Sequence, residues 1–187
     1  MARIPLFPTD NMSPAQQAVY DAIVSGPRGK IQGPLRAALH NAELADKWQQ
    51  LGALLRYRTT LEPRLSELAI LVTARHWDSQ FEWYAHGPIA EKAGVPVAVM
   101  ERIALNETPE FDKEDESVVY LYSKELLEKH NPSDETYDYA RALLNDLGVV
   151  ELTALVGYYS MVAMTLNAHE IPMPEGTPDP LPVIDRS

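Results

Sequence analysis

Apolar residues recur at three- and four-residue spacing in segment after segment of this chain, and almost nowhere at alternate positions. That period belongs to helices, so the chain is read as all-α. The punctuation agrees. Ser13-Pro14 pairs an N-cap residue with a first-turn proline and opens a helix to about Ser25. Residues 26–34 hold three glycines and two prolines and make a loop. A short helical piece runs from Leu35 to His40. Asn41 then caps a helix through Leu44, Trp48, Leu51 and Leu55 to about Arg58.

Pro63 suits the first turn of the next helix, which ends near His76 or Trp77. Its apolar positions, Leu65, Leu68, Ala69, Leu71 and Val72, cover a wide face and predict deep burial. A tight turn at Trp77-Asp78 leads into a helix from Ser79 to Ala93, closed by Gly94 as C-cap. Pro88 lies inside it and predicts a kink or a break. Pro96 starts a helix to about Leu105. Asp112 to His130 forms a long helix whose acidic first turn suits the helix dipole. Ser133 caps another, stopped by Gly148. Val150 to His169 is apolar on most sides, as a central core helix or an oligomer interface must be. Residues 1–170 are therefore expected to form a single helical domain. The tail 171–187, with five prolines, is expected to lie extended over a surface.

One echo runs through the chain. Glu67-Leu68-Ala69-Ile70-Leu71-Val72 is matched by Glu151-Leu152-Thr153-Ala154-Leu155-Val156. An Ala-His pair follows each, at Ala85-His86 and Ala168-His169. A duplicated helical unit, giving two related halves, is one reading of it. His169 itself is read as terminating a helix, and His40, His76 and His130 likewise sit at helix ends.

Charge and cysteine content narrow the function. The chain has 187 residues and a formal net charge of -11, which argues against nucleic acid and anionic membranes as partners. The charge is uneven: residues 1–77 hold nine Lys/Arg against six Asp/Glu, and the remainder seven against twenty-one. Arg56, Arg58, Arg64, Arg75 and His76 cluster in the first part, where they suit either a small carboxylate ligand or helix-end and inter-helix ion pairs. There is no cysteine, which excludes disulfides, thiolate metal sites and a cysteine nucleophile. No apolar stretch is read as long enough to span a bilayer. The first ten residues hold no signal-peptide run, so a cytoplasmic location is expected.

The informative window is Glu67 to His86. Ser79, Glu82 and His86 stand at i, i+3 and i+7 and share one helix face, which continues into Ile89, Ala90 and Ala93. A carboxylate and an imidazole on an apolar stripe need a pocket or each other. A tight turn would bring Glu67 of the preceding helix within reach of His86. Carboxylate beside imidazole is acid–base equipment, since the partner fixes the tautomer. On spacing alone, the pair fits a core link pinning two helices at least as well. Glu82 and His86 also have metal-ligand spacing, but no second motif histidine completes a site.

The window resembles the carboxymuconolactone decarboxylase family, whose superfamily includes the alkylhydroperoxidase D proteins. The resemblance rests on Pro63 to Val72, Ser79-Gln80-Phe81-Glu82-Trp83-Tyr84-Ala85-His86, and Ala90-Glu91-Lys92-Ala93-Gly94-Val95. In the peroxidase branch a Glu is followed by eleven residues, a Cys, two residues, a Cys, three residues and a His. Here the same frame holds Glu67, Ser79, Glu82 and His86, so both thiols are replaced.

The resemblance implies an all-α, alkylhydroperoxidase D-like fold with the site on a helical hairpin. It implies a homo-oligomer, trimer or hexamer, with the site near a subunit interface. Without thiols, the peroxidase chemistry cannot carry over. The decarboxylase branch needs neither thiol nor cofactor, and acts on a small carboxylate-bearing lactone. On that pattern His86 is the proton donor or acceptor, Glu67 orients it, and Glu82 is a second acid–base group. Ser79, Arg64, Arg75, Trp83 and Tyr84 are assigned to substrate binding, with Arg64 or Arg75 as carboxylate anchor. No metal is expected. Glu82 departs from the pattern, because a second carboxylate repels a dianion unless it is protonated or paired. The other readings are a non-catalytic oligomeric binding protein and a redox protein using a bound metal.

Overall fold

The computed structural model describes residues 1–184, and all regular structure among them is helical. The chain divides into two compact units. The first comprises residues 1–58 with 164–172, and the second residues 59–163 with 173–187.

In the first unit, α1 (Pro14–Ser25) begins at a capping box: Ser13 Oγ accepts from Gln16 N–H, and Gln16 Oε1 accepts from Ser13 N–H. Next comes α2 (Leu35–Ala38), two residues shorter than expected. His40 lies beyond its end, where its Nε2 stands 2.9 Å from the Pro5 carbonyl. The third helix, α3 (Ala42–Tyr57), is capped by Asn41 Oδ1, which accepts from Leu44 N–H as the sequence predicts. Both α1 and α2 pack on α3. Residues 164–172 are held by Arg3, whose N–H donates to the His169 carbonyl and whose guanidinium pairs with Glu170 at 2.5 Å.

The second unit is built on α4 (Pro63–His76), in which every residue from Arg64 to Arg75 is buried. Against it pack α5 (Gln80–Ala93), α6 (Val97–Ala104) and α7 (Glu114–Lys129). The turn from α4 to α5 spends a positive φ of 51° on Asp78, and Gly94 closes α5 at φ 99°. Helix α5 runs through Pro88 without the break that was one of the two expected outcomes. A proline costs a helix one donor and a clash one turn back. Here burial of Trp83, His86, Gly87 and Ala90 holds both turns in place.

The largest departure from expectation is α8 (Asp134–Ala168). It holds the two expected helical limbs, but they are divided at Asn145, three residues before Gly148. Asn145 takes φ 59° and ψ 179°, and its Oδ1 accepts from the N–H groups of Leu147 and Gly148. It caps the second limb from inside, and these two bonds offset a backbone conformation that is unfavourable for a residue with a Cβ. Gly148 is thus a close-packing position inside the helix, where an added Cβ would lie 2.9 Å from Leu144 Cβ. By length and composition α8 does contain a stretch apolar enough to cross a bilayer, with mean hydropathy 1.5, contrary to the reading above. Just over half of that stretch, 56 %, is buried inside the chain, a burial that core helices share.

The tail is non-helical, as expected, and positions 185–187 of it lie outside the described residues. The Gln80 side-chain amide clamps it, donating to the Leu181 carbonyl at 2.9 Å and accepting from Leu181 N–H at 2.8 Å.

Gly148→Ala is expected to lower unfolding stability by about 1–2 kcal/mol, the overpacking cost outweighing the gain in helix propensity. Urea denaturation measures it. A second variant probes the α7–α8 connection. There Glu125 accepts from Ser133 N–H at 2.7 Å and from Lys129 Nζ at 2.9 Å. These bonds, the Ser133 amide foremost, hold its carboxyl down at about 2. A depressed carboxyl stabilises the fold above its ordinary range, and the gain is lost as pH falls from about 4.5 to about 2. Glu125→Gln should therefore melt below the parent at neutral pH and converge with it near the bottom of that window.

Candidate functional site

The hairpin of α4 and α5 carries the site, and the reason is local. Pro63 starts α4, the Asp78 turn reverses the chain, and α5 returns alongside. Glu67 lies one turn into α4, and His86 lies two turns into α5. Their side chains meet: His86 Nδ1 is 2.7 Å from Glu67 Oε2. Both are almost wholly buried, at 6 % and 7 % exposure. The contact makes Nδ1 the donor and leaves Nε2 as the nitrogen that can accept or, once protonated, donate. No described residue hydrogen-bonds Nε2.

Ser79 and Glu82 are buried as well, on the face they share with His86. Ser79 stands at the N-cap of α5 without capping it, and its Oγ has no hydrogen-bond partner among the described residues. A buried hydroxyl left in that state costs about 1–3 kcal/mol, a cost more often found at functional sites than in plain cores.

The two arginines go elsewhere. Arg64 Nη1 and Nη2 donate to Glu116 Oε1 at 2.5 Å and Asp115 Oδ2 at 2.6 Å, tying α4 to the first turn of α7. The guanidinium holds the Asp115 carboxyl below the usual range. Arg75 donates to the carbonyls of Ala104 and Pro182 at 3.0 and 3.1 Å, and pairs with Asp78. Of the alternatives open at the arginine cluster, the inter-helix ion pair therefore describes Arg64, and Arg75 braces the hairpin turn and the tail. The two aromatics diverge. Trp83 is buried over Gly87 and Met100, whereas Tyr84 is exposed, edge-on to Phe81 at 6.4 Å.

One neighbour of the site was not singled out from the sequence. The Tyr159 ring on α8 stands edge to face with His86, centroids 5.0 Å apart at 87°, and Tyr158 follows at 5.3 Å from Tyr159. An adjacent tyrosine pair in an otherwise aliphatic helix was the available signal. The echo gives no second pair of this kind. Glu151 accepts from Thr60 N–H and Oγ1 at 2.8 and 2.6 Å, and His169 lies at the end of α8.

The chain matches no protein-family model and no curated protein in sequence. Solved structures do match in shape. An uncharacterized peroxidase-related protein from Silicibacter sp. TM1040 superposes with TM-score 0.73 at 14 % identity, over 94 % of this chain and 92 % of that one. The fold is that of the alkylhydroperoxidase D-like proteins. An Agrobacterium tumefaciens protein of unknown function, described as a candidate antioxidant-defence AhpD, gives 0.66 at 16 % identity, over 76 % of this chain and 99 % of that one. The debrominase Bmp8, as a cysteine-to-alanine variant with 2,3,4-tribromopyrrole, gives 0.73 at 12 % identity over 94 % of both chains.

Breaking the Arg64 pair leaves Glu116, 1 % exposed, with the longer Lys113 contact at 3.6 Å in place of a 2.5 Å one. Arg64→Met should cost about 3–5 kcal/mol in denaturant unfolding. A loss below about 1 kcal/mol, the range of exposed ion pairs, would show that Arg64 is not structural.

Proposed function

We propose that this chain is a thiol-independent small-molecule enzyme in which His86, oriented by Glu67, moves a proton on a small carboxylate. One observation carries the reading: Nδ1 of a buried imidazole is held by a carboxylate while Nε2 is uncommitted among the described residues. A purely structural pair gains nothing from an uncommitted nitrogen, whereas a general acid–base requires one. The absence of cysteine sets aside a thiol step of this chain's own, whatever the peroxidase-related and debrominase neighbours do.

The chemistry closest to this equipment is decarboxylation of a small unsaturated lactone acid, as the likeness to carboxymuconolactone decarboxylase implies. When the carbon–carbon bond to the carboxylate breaks, carbon dioxide departs and its electron pair passes into the conjugated lactone as a dienolate. His86 Nε2 then delivers a proton to carbon, and solvent restores it. Glu67 keeps the imidazole in the required tautomer. Glu82 is the second acid–base group, and Ser79 Oγ is a donor suited to a lactone or carboxylate oxygen. No cofactor is required by these steps. Exposed Leu147, Val150 and Met164 along α8 support a homo-oligomer.

A second reading has its own observation. Glu67, Glu82 and His86 are each at least 93 % buried, which equally supports an oligomeric binding protein that keeps the fold without turnover.

The test uses a panel of unsaturated lactone acids in deuterated buffer, followed by NMR for carbon–deuterium formation and released carbon dioxide. His86→Asn should lower kcat by about 10²–10⁴ with KM little changed, and Glu67→Gln by a smaller factor. Turnover of a true substrate at the parent rate by His86→Asn would sink these roles. Saturable binding of panel members without turnover would establish the second reading.

A further inference from the structure

The second unit contains a cleft of about 260 Å³ that the acid–base site does not use. It lies between the C-terminal half of α4, the α6–α7 connection and α7. At 100° per residue, Val72 and His76, which line it, stand about 140° and 180° round α4 from Glu67. It therefore opens from another face of that helix.

Its walls divide by chemistry. Val72, Ile103 and Leu127 supply apolar surface. Tyr120 lines it while only 3 % exposed, and no described residue hydrogen-bonds its hydroxyl. The Asn106 side-chain amide is likewise without a partner among the described residues, and Asn106 is held at the rim at φ 57°. A buried phenol and a carboxamide with unspent hydrogen-bonding capacity are what a ligand's polar end would satisfy.

One cation in the lining can change partners. Arg75 cannot, because two backbone carbonyls and Asp78 hold its guanidinium. Lys124 can. Its ammonium sits 5.9 Å from the Tyr120 ring centre, and its ion pair with Glu128 at 3.0 Å is with a side chain 42 % exposed. Such a pair is weak and readily exchanged. In a protein of net charge -11, that ammonium is a local attractor for an anion at this cleft, which Glu107 and Glu128 also line.

We infer that the cleft is a second small-molecule site for a monocarboxylate with a flat apolar body. The carboxylate takes Lys124 Nζ from Glu128, with Asn106 and Tyr120 as further donors. The body lies on Val72, Ile103 and Leu127. A space near 260 Å³ is at the small end for ligand sites, which limits the occupant to about one ring. A single carboxylate matches the one ammonium, Lys124, and keeps repulsion from Glu107 and Glu128 low. This inference is independent of the proposed acid–base chemistry.

Benzoate is the probe, with benzamide as its uncharged counterpart, titrated calorimetrically into the full chain. Benzoate should bind saturably in the millimolar range or better, and benzamide about tenfold or more weaker. Lys124→Met, a partly exposed change that leaves the fold intact, should weaken benzoate about tenfold, and Tyr120→Phe by a smaller factor. Leu127→Trp, which fills the cleft from its rim, should abolish binding, while His86→Asn should leave it unchanged. No saturable binding, or binding indifferent to both Lys124→Met and Leu127→Trp, overturns the proposal. Binding lost in His86→Asn but kept in Leu127→Trp does so too, by moving the carboxylate to the other site.

Discussion

Helix α4 is buried along twelve consecutive residues, and that burial dictates much of the second unit. A helix enclosed on all sides has no water to solvate its polar side chains, so each must find a partner inside or impose a cost of several kcal/mol. Its charged groups answer with one link to each neighbour. Arg64 reaches α7 through Asp115 and Glu116, Glu67 reaches α5 through His86, and Arg75 reaches the Ala104 carbonyl at the end of α6 and the tail at Pro182. Thr73, with no neighbour to reach, bonds back to the Ala69 carbonyl of its own helix. Register between the hairpin and its neighbours is thereby fixed by directional contacts as well as by apolar packing.

The same logic separates Glu67–His86 from the other links. Arg64 and Arg75 spend their donors on carboxylates and carbonyls that cannot change state at ordinary pH, and the result is mechanical. Imidazole is different, because it holds its partner through one nitrogen and can exchange a proton through the other. Edge-on contact with Tyr159 further limits how the ring can turn. A link that is rigid on one side and chemically labile on the other is suited to proton transfer, whereas a brace needs only the rigid side.

What could be read in advance follows from how far each determinant reaches. Ser13, Asn41, Pro63 and Gly94 act on N–H or C=O groups within four residues, and the helices they bound were legible. The Glu67–His86 pairing was legible too, since one tight turn separates the two helices. At Pro88 and Gly148 a local rule met tertiary packing. A proline rests inside a helix held by its buried face, and the boundary expected at the glycine falls three residues earlier, at Asn145. The partners of Arg64 lie 51 and 52 residues away, and no local pattern could assign that cation to them rather than to a ligand. The echo makes the point most directly. Two six-residue runs alike at four positions place one Glu against a histidine and the other against the Thr60 backbone, because their tertiary neighbours differ.

Electrostatics bears on what such a site can accept. The buried face of α5 beside His86 carries Ser79 and Glu82, a neutral hydroxyl and a carboxyl. Glu67 adds a second carboxyl to the same buried region. A dianionic substrate entering there brings charge into a medium that screens it poorly. The cations that would offset it, Arg64 and Arg75, are already neutralised by Asp115, Glu116 and Asp78. Recruiting either would strand a buried acid or release the tail, at a cost that binding a small molecule seldom recovers. Neither arginine can therefore serve as a carboxylate anchor without dismantling a link of α4.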